Sequence, residues 1–363
     1  MAFRHEFAQR ERTKTVRRLL SKRVLLAVGG AVLIVATFAY FLPTIADYRE
    51  VWQVVKALSW EWIVALLAAA AVNVLTFAPP WLVLLPGLRF WSTLMMTQAS
   101  TALSIVVPGG AAVGIASAYG MLRRWGFAPG AVARSVTLVS LWNQLANLAY
   151  PIVALFLLTM AGEETAVLAT AAFVGVAILG VAVGALVLVL YSNRMALEIG
   201  DLAARASTAV KGRFHRQPVK WTGSSFERFR IDVVDLLKHR WHLLTLATLA
   251  GSLTVFAVLL VSLRALHVPA TEVSVEEAFA AWSLARLLGS IPITPGGIGV
   301  VELSLTAALI GFGGNNAGVL AAVLVFRFLT IVPTLVLGTV SAAVWRRVVR
   351  NAPQQPVDDG QHG

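Results

Sequence analysis

The sequence predicts an all-α fold: a polytopic membrane helical bundle of about six full spans plus two oppositely oriented re-entrant helical hairpins, an inverted repeat. Three observations carry that expectation. Hydrophobic residues make up 58% of the 363-residue chain and charged residues only 13%, with mean hydropathy +0.77, well above the usage of soluble domains. The apolar residues fall in runs long enough to cross a bilayer. The tripeptide Pro-Gly-Gly also occurs twice inside apolar stretches, at Pro108-Gly109-Gly110 and Pro295-Gly296-Gly297. Proline removes a backbone donor and glycine loosens the chain, so each copy breaks a helix. A broken helix at membrane depth is tolerated only where protein or a water-filled cavity covers it.

Charge orders the elements. Met1–Arg23 carries eight Lys or Arg (Arg4, Arg10, Arg12, Lys14, Arg17, Arg18, Lys22, Arg23) against two Glu, which places it in the cytoplasm by the positive-inside rule. Val24–Pro43 is the first span; its core is too long for a signal peptide, so it reads as an uncleaved anchor. Trp62–Leu85 returns to Arg89. The next stretch, Trp91–Met121, lies between Arg89 and Arg123-Arg124, and both ends call for the cytoplasm; a re-entrant hairpin tipped by Pro108-Gly109-Gly110 satisfies both. Ala131–Met160, apolar but bearing polar residues, exits to Glu163-Glu164. Thr165–Tyr191 comes back to Ser192–Arg240, which has ten basic residues against five acids. Trp241–Val261 exits to Glu272, Glu276 and Glu277. Ala278–Gly311 holds the second Pro-Gly-Gly and ends at Gly313-Gly314-Asn315-Asn316, entering from outside and leaving to the outside. Val319–Trp345 then delivers Arg346, Arg347 and Arg350 to the cytoplasm.

The predicted organisation is a basic cytoplasmic N-terminus at 1–23, a transmembrane domain at 24–345 and a cytoplasmic tail at 346–363. The transmembrane domain has repeat halves at 24–191 and 241–345, joined by the basic loop 192–240. A multi-pass plasma-membrane protein with both termini cytoplasmic follows. The rival arrangement, eight ordinary crossings, places the ten basic residues of Ser192–Arg240 outside, against the positive-inside rule. Ser104–Gly110 resembles Ile291–Gly297 at an offset of 187 residues; a chance recurrence of Pro-Gly-Gly in a Gly-rich chain is the alternative.

Composition excludes several functions. The net charge of +12 flanks spans and suits anionic headgroups of the cytoplasmic leaflet, and no nucleic-acid motif accompanies it. With no cysteine there is no disulfide, thiolate site or cysteine nucleophile. No Gly-x-x-x-x-Gly-Lys-Ser/Thr loop, His-Glu-x-x-His or Gly-x-Ser-x-Gly is present, so neither an ATP engine nor an enzyme is expected. The six His lie mostly near termini and loops, and no metal and no cofactor are expected.

Ionisable residues inside spans are functional candidates by default. Arg286, Glu302 and Arg327 stand out. Arg286 lies nine residues before Pro295 and Glu302 seven after it, roughly 13 and 10 Å from the tip at the helical rise, so the two sit at similar depth and are placed to pair. Arg327 falls at a comparable level in the last span, leaving one surplus positive charge suited to a phosphate, for which arginine offers a bidentate fork. A purely structural Arg–Glu lock between hairpin and last helix is the competing reading. The helices starting after Gly110 and Gly297 present free N–H groups, an anion site that Ser104, Pro108, Gly109, Gly110, Thr294, Pro295, Gly296, Gly297 and Gly299 would line; close packing by small residues is its alternative. Asn143, Asn147 and Pro151 share one face, for interhelical hydrogen bonds or for lining a substrate path, and Asn73 and Gln98 read the same way. Phe226–Trp241 mixes apolar and basic residues, as an amphipathic surface helix or a solvated loop would.

The segment Ile291–Glu302, Ile-Pro-Ile-Thr-Pro-Gly-Gly-Ile-Gly-Val-Val-Glu, followed by Arg327, Pro333 and Gly338, resembles the flippase-like transmembrane region of lysylphosphatidylglycerol synthases. That resemblance extends from about Val24 to Trp345 and implies translocation of an aminoacylated phosphatidylglycerol-like phospholipid, or of a glycolipid, between leaflets. No counterpart of the family's soluble aminoacyl-transferase domain is expected before the end at Gly363, and Leu141-Trp142-Asn143-Gln144 stands where members often carry charge, so a different headgroup is expected. The expected partners are membrane lipids with anionic or zwitterionic headgroups and an enzyme supplying the lipid. The competing function is a membrane-embedded lipid-linked glycosyl or aminoacyl transferase, or its non-catalytic partner.

Overall fold

The computed structural model describes residues 48–107, 110–162, 166–191, 223–291 and 294–351, and these form helices joined by short turns, with no strand among them. Eleven α-helices follow one another: α1 (Tyr48–Lys56), α2 (Trp60–Leu75), α3 (Pro79–Leu84), α4 (Phe90–Val106), α5 (Gly110–Arg124), α6 (Pro129–Met160), α7 (Ala166–Tyr191), α8 (Gly223–Ala265), α9 (Val275–Gly289), α10 (Val300–Gly311) and α11 (Asn316–Asn351). Four stretches among them are long and apolar enough to cross a membrane: Trp60–Leu84, Pro129–Met160, Phe229–Ala265 and Asn316–Val344. These coincide with four of the expected spans. A fifth, Thr165–Tyr191, corresponds to the 26-residue α7. The expected first span, Val24–Pro43, lies outside the described residues, as do Pro108 and Gly109.

Local chemistry sets the boundaries. At α9, Ser274 Oγ accepts the Glu277 N–H at 3.1 Å, and Glu277 Oε2 accepts the Ser274 N–H at 2.7 Å, a reciprocal cap that satisfies two of the orphan donors of a helix start. Pro79 and Pro129 stand at the first turns of α3 and α6, where the missing N–H has no helical partner to lose.

Each Pro-Gly-Gly separates a pair of helices that fold back on one another. In the first pair, Met96 and Ala99 of α4 pack with Ala118, Met121 and Leu122 of α5. In the second, α9 lies against α10, and their outer ends are joined: Asn315 donates to Glu272 Oε2 from its amide side chain at 2.7 Å and from its backbone at 3.0 Å. The helices have 17 and 15 residues in the first pair and 15 and 12 in the second. The second break lies against the end of α4. A Cβ placed on Gly296 of the second would stand 3.1 Å from Ile105 Cγ2, just before the first.

The main core gathers α2, α6, α8, α9, α10 and α11 around Phe256, Phe279, Trp282, Leu305 and Leu320. The last helix, α11, runs along α4, and Gly338 marks where they touch: a Cβ there would lie 2.4 Å from Ala102 Cβ and 2.6 Å from the Gln98 carbonyl oxygen. Small residues allow such approaches between membrane helices.

One expectation is corrected. Phe226–Trp241 is neither a separate surface helix nor a loop; it forms the first turns of α8, a continuous helix of 43 residues, about 65 Å long. The physical reason is that its apolar residues have a partner within the protein. Val233 is buried with Leu84, Leu138 and Leu244, and Phe229, Leu236 and Leu237 pack around them. Arg134 pairs with Asp232 at 2.8 Å, and Arg240 donates to the Val83 carbonyl at 2.7 Å.

Gly338→Val should cost about 1–3 kcal/mol by overpacking, read as a lower thermal unfolding midpoint of detergent-solubilised protein. Gly120→Ala, in α5 with nothing within 4 Å of the new methyl, should raise stability by about 0.4–1 kcal/mol.

Candidate functional site

The second break is a turn that only glycine can make. Gly296, Gly297 and Gly299 have φ of 62°, 66° and 87°, in the region L side chains rarely adopt. Gly299 is the N-cap of α10 and brings no side chain, so the cap comes from Glu302 at the third helical position: its Oε2 accepts the Gly299 N–H at 2.7 Å. Glu302 Oε1 accepts from Arg327 Nε of α11 at 2.6 Å, and Arg327 Nη2 donates on to the Gly296 carbonyl at 3.3 Å. Turn, cap and last helix thus close into one ring of hydrogen bonds. The Glu302 side chain is 4% exposed and that of Arg327 15%, so the charge pair is nearly dry.

Two expectations change here. The positive end of α10 is not an open anion site, because the chain's own carboxylate already occupies it. Glu302 also pairs with Arg327 and not with Arg286: the third position of α10 faces α11, whereas Arg286 on α9 turns toward α6 and α8. Arg286 Nε donates to Asn147 Oδ1 of α6 at 2.6 Å, and its Nη2 donates to Ser252 Oγ of α8 at 3.3 Å. Its guanidinium lies 5.4 Å from the Trp282 ring centre and 5.8 Å from that of Tyr150. Those rings belong to an aromatic cluster with Phe256 and Phe279. Every one of these partners is uncharged.

Arg286 and Val255 form a common wall between two cavities. One, of about 260 Å³, is lined by Asn147, Trp282, Ser290, Phe326 and Arg327 among others. The other, of about 290 Å³, adjoins it among α3, α4, α6 and α8, and is lined by Thr76, Trp81, Thr97, Ser100, Asn143 and Thr248 among others. Arg286 and Arg327 therefore both line the first cavity, and among the described residues no carboxylate lines either one.

The remaining candidates divide. Asn147 joins helices and lines a cavity at once, while Asn143 lines the second cavity and ties its amide to the Val139 carbonyl at 2.9 Å. Asn73 links α2 to α8 through Thr254 at 3.2 Å, an interhelical bond as expected. Gln98 is buried with neither end of its amide partnered. Ser104 donates to the Ser100 carbonyl at 3.0 Å and packs against Gly110 and Gly114 so closely that a Cβ on Gly110 would stand 2.0 Å from the Ser104 carbonyl oxygen. Ser104 and Gly110 thus serve close packing and line neither cavity. Thr294, Gly296, Gly297 and Gly299 likewise belong to the turn and are not among the described lining of either cavity; the Thr294 hydroxyl is buried without a partner.

Sequence reasoning missed Trp282, Tyr150, Ser252, Thr97, Ser100 and Thr248. Two signals were available. Trp282 precedes Arg286 by four residues and Tyr150 follows Asn147 by three, the spacings that share a helix face. Thr97, Ser100, Thr101 and Ser104 form a polar stripe of helical period along an apolar helix. Thr245, Thr248 and Ser252 repeat that helical period in another apolar helix.

Together, the apolar helices and the half-buried arginines among them define a multi-pass integral membrane protein. The chain belongs to the family of the lysylphosphatidylglycerol synthase transmembrane region, which it matches over residues 24–338. No curated protein matches it. Membership places the chain among membrane proteins of lipid metabolism and transport and associates it with membrane lipids.

Breaking the buried pair should be costly. Glu302→Ala leaves Arg327 without its carboxylate and Gly299 without its acceptor, so a loss of about 3–5 kcal/mol is expected, whereas Glu302→Leu combined with Arg327→Met should recover much of it. Thermal unfolding of the single and double variants measures this coupling.

Proposed function

We propose that the protein moves a phospholipid or glycolipid between membrane leaflets, with the phosphate bound by Arg286 and Arg327 at the cavity they share. The observation that carries this reading is the imbalance of charge there. Of the two arginines, Arg327 is neutralised by Glu302, while the hydrogen-bond and ring partners of Arg286 are all neutral. A guanidinium held at membrane depth by neutral groups keeps its attraction for an anion, and its planar fork fits phosphate oxygens. Transport rather than transfer chemistry is the reading because Glu302, the carboxylate bonded to Arg327, is engaged on both oxygens. With no ATP-binding loop in the sequence, movement runs downhill or is coupled to a partner.

The same reading makes both Pro-Gly-Gly pairs re-entrant, entering from opposite faces between full spans. Their helices of 12 to 17 residues measure about 18–25 Å, short of a hydrocarbon core of about 30 Å. The bond between Asn315 and Glu272 favours a hairpin whose ends share one face. Exposed Trp60 and Trp62 at the start of α2, and exposed Trp91 at the start of α4, suit anchoring at the two interfaces.

Two experiments test this. In proteoliposomes with fluorescent phosphatidylglycerol, Arg286→Ala should reduce lipid movement at least about tenfold, a loss of about 1.4 kcal/mol or more of phosphate binding, while the protein stays folded; wild-type rates would sink the assignment. The chain has no cysteine, so single-cysteine labelling reports topology directly. Arg89→Cys and Arg124→Cys should react from the cytoplasmic side, Thr271→Cys and Asn316→Cys from the outer side. Labelling of either pair from opposite faces favours eight crossings.

A further inference from the structure

The cavity of about 290 Å³ has a chemistry of its own. It lies near the lower end of small-molecule sites, roughly 300–1,000 Å³, the scale of a headgroup without its acyl chains. Its lining is rich in hydroxyl groups, and among the described residues Arg286 is the one ionisable side chain in it. The hydroxyls of Thr97 and Ser100 donate to the carbonyls of Leu94 and Thr97 in their own helix, at 2.9 and 3.1 Å. Their oxygens therefore face a guest mainly as acceptors. Thr248 differs: it is 4% exposed, and its hydroxyl is buried without any hydrogen-bond partner. A buried, unpartnered hydroxyl in a cavity wall is costly unless a guest completes it. Trp81 adds a flat apolar face to the same lining.

We propose that this cavity receives an uncharged polyol headgroup, such as glycerol, inositol or a sugar, joined to a phosphate on Arg286, and disfavours headgroups that carry a free ammonium. The inference rests on the lipid-binding part of the preceding reading. Hydroxyls of a polyol donate to Thr97 and Ser100, bond with Thr248, and bring no charge to desolvate. An ammonium placed there would lose its water, meet no carboxylate, and stand beside the cationic Arg286. Asn143, whose amide donates to Val139, presents a carbonyl-type acceptor suited to the same hydroxyls.

Native mass spectrometry of the full-length protein, loaded with equal amounts of phosphatidylinositol and phosphatidylethanolamine, tests this. Retention of phosphatidylinositol should exceed that of phosphatidylethanolamine at least about tenfold. Thr248→Val, nearly isosteric, should shrink that preference, while phosphatidic acid, which has the phosphate and no headgroup, stays bound; Arg286→Ala should release all three. Equal retention, preference for the ethanolamine lipid, an unchanged preference in Thr248→Val, or no retained lipid would each overturn the proposal. Parallel flipping assays separate it from the transport reading. Selective retention without lipid movement leaves the polyol site standing and removes transport. Movement of both lipids at equal rates, with equal retention, does the reverse.

Discussion

A carboxylate inside a membrane protein must be neutralised where it sits, and the second hairpin tip is built around that requirement. Glu302 caps α10, meets Arg327, and through it reaches the Gly296 carbonyl. Each partner is one that hydrocarbon could not supply. The three left-handed glycines let the backbone come round within reach of a single side chain. The spacing of Pro-Gly-Gly-x-Gly-x-x-Glu is thus the spacing of a turn followed by the third position of a helix, and the distant arginine completes it. What the sequence presents as a functional motif is first a solution to a desolvation problem.

That division of labour frees the other arginine. Because Glu302 is engaged with Arg327, Arg286 is left to neutral company: an asparagine, a serine and two aromatic rings from three helices. Its position is fixed without its charge being cancelled. Arg327 ties the scaffold together at the edge of one cavity, and Arg286 lines both.

Much of the fold could be read from charge and apolar length alone, since those are local properties: three expected spans reappear within a few residues as membrane-length helical stretches, and the fourth, Trp241–Val261, lies inside a stretch that begins at Phe229. The breaks at Gly296 and Gly297 were equally legible, because proline and glycine act on their own backbone. Pairing was not. Arg286 and Glu302 lie at matching distances from Pro295, yet depth along a helix says nothing of the direction a side chain faces, and rotation about the axis sends them to different neighbours. The continuity of α8 was also hidden. Phe226–Trp241 looks amphipathic in isolation, and only Leu84 and Leu138, far off in sequence, show that its apolar face is covered by protein. The hydroxyl-lined cavity escaped for the same reason, being assembled from single Ser and Thr residues on several helices.

The continuous α8 has a mechanical meaning. It carries Ser252 and Val255 at the wall between the cavities, and some twenty residues earlier it carries Asp232, Arg240 and the other charges of its first turns. An unbroken helix behaves as a stiff rod, so torque applied at one end arrives at the other. Whatever grips the charged end of that rod holds a handle on the partition at Arg286.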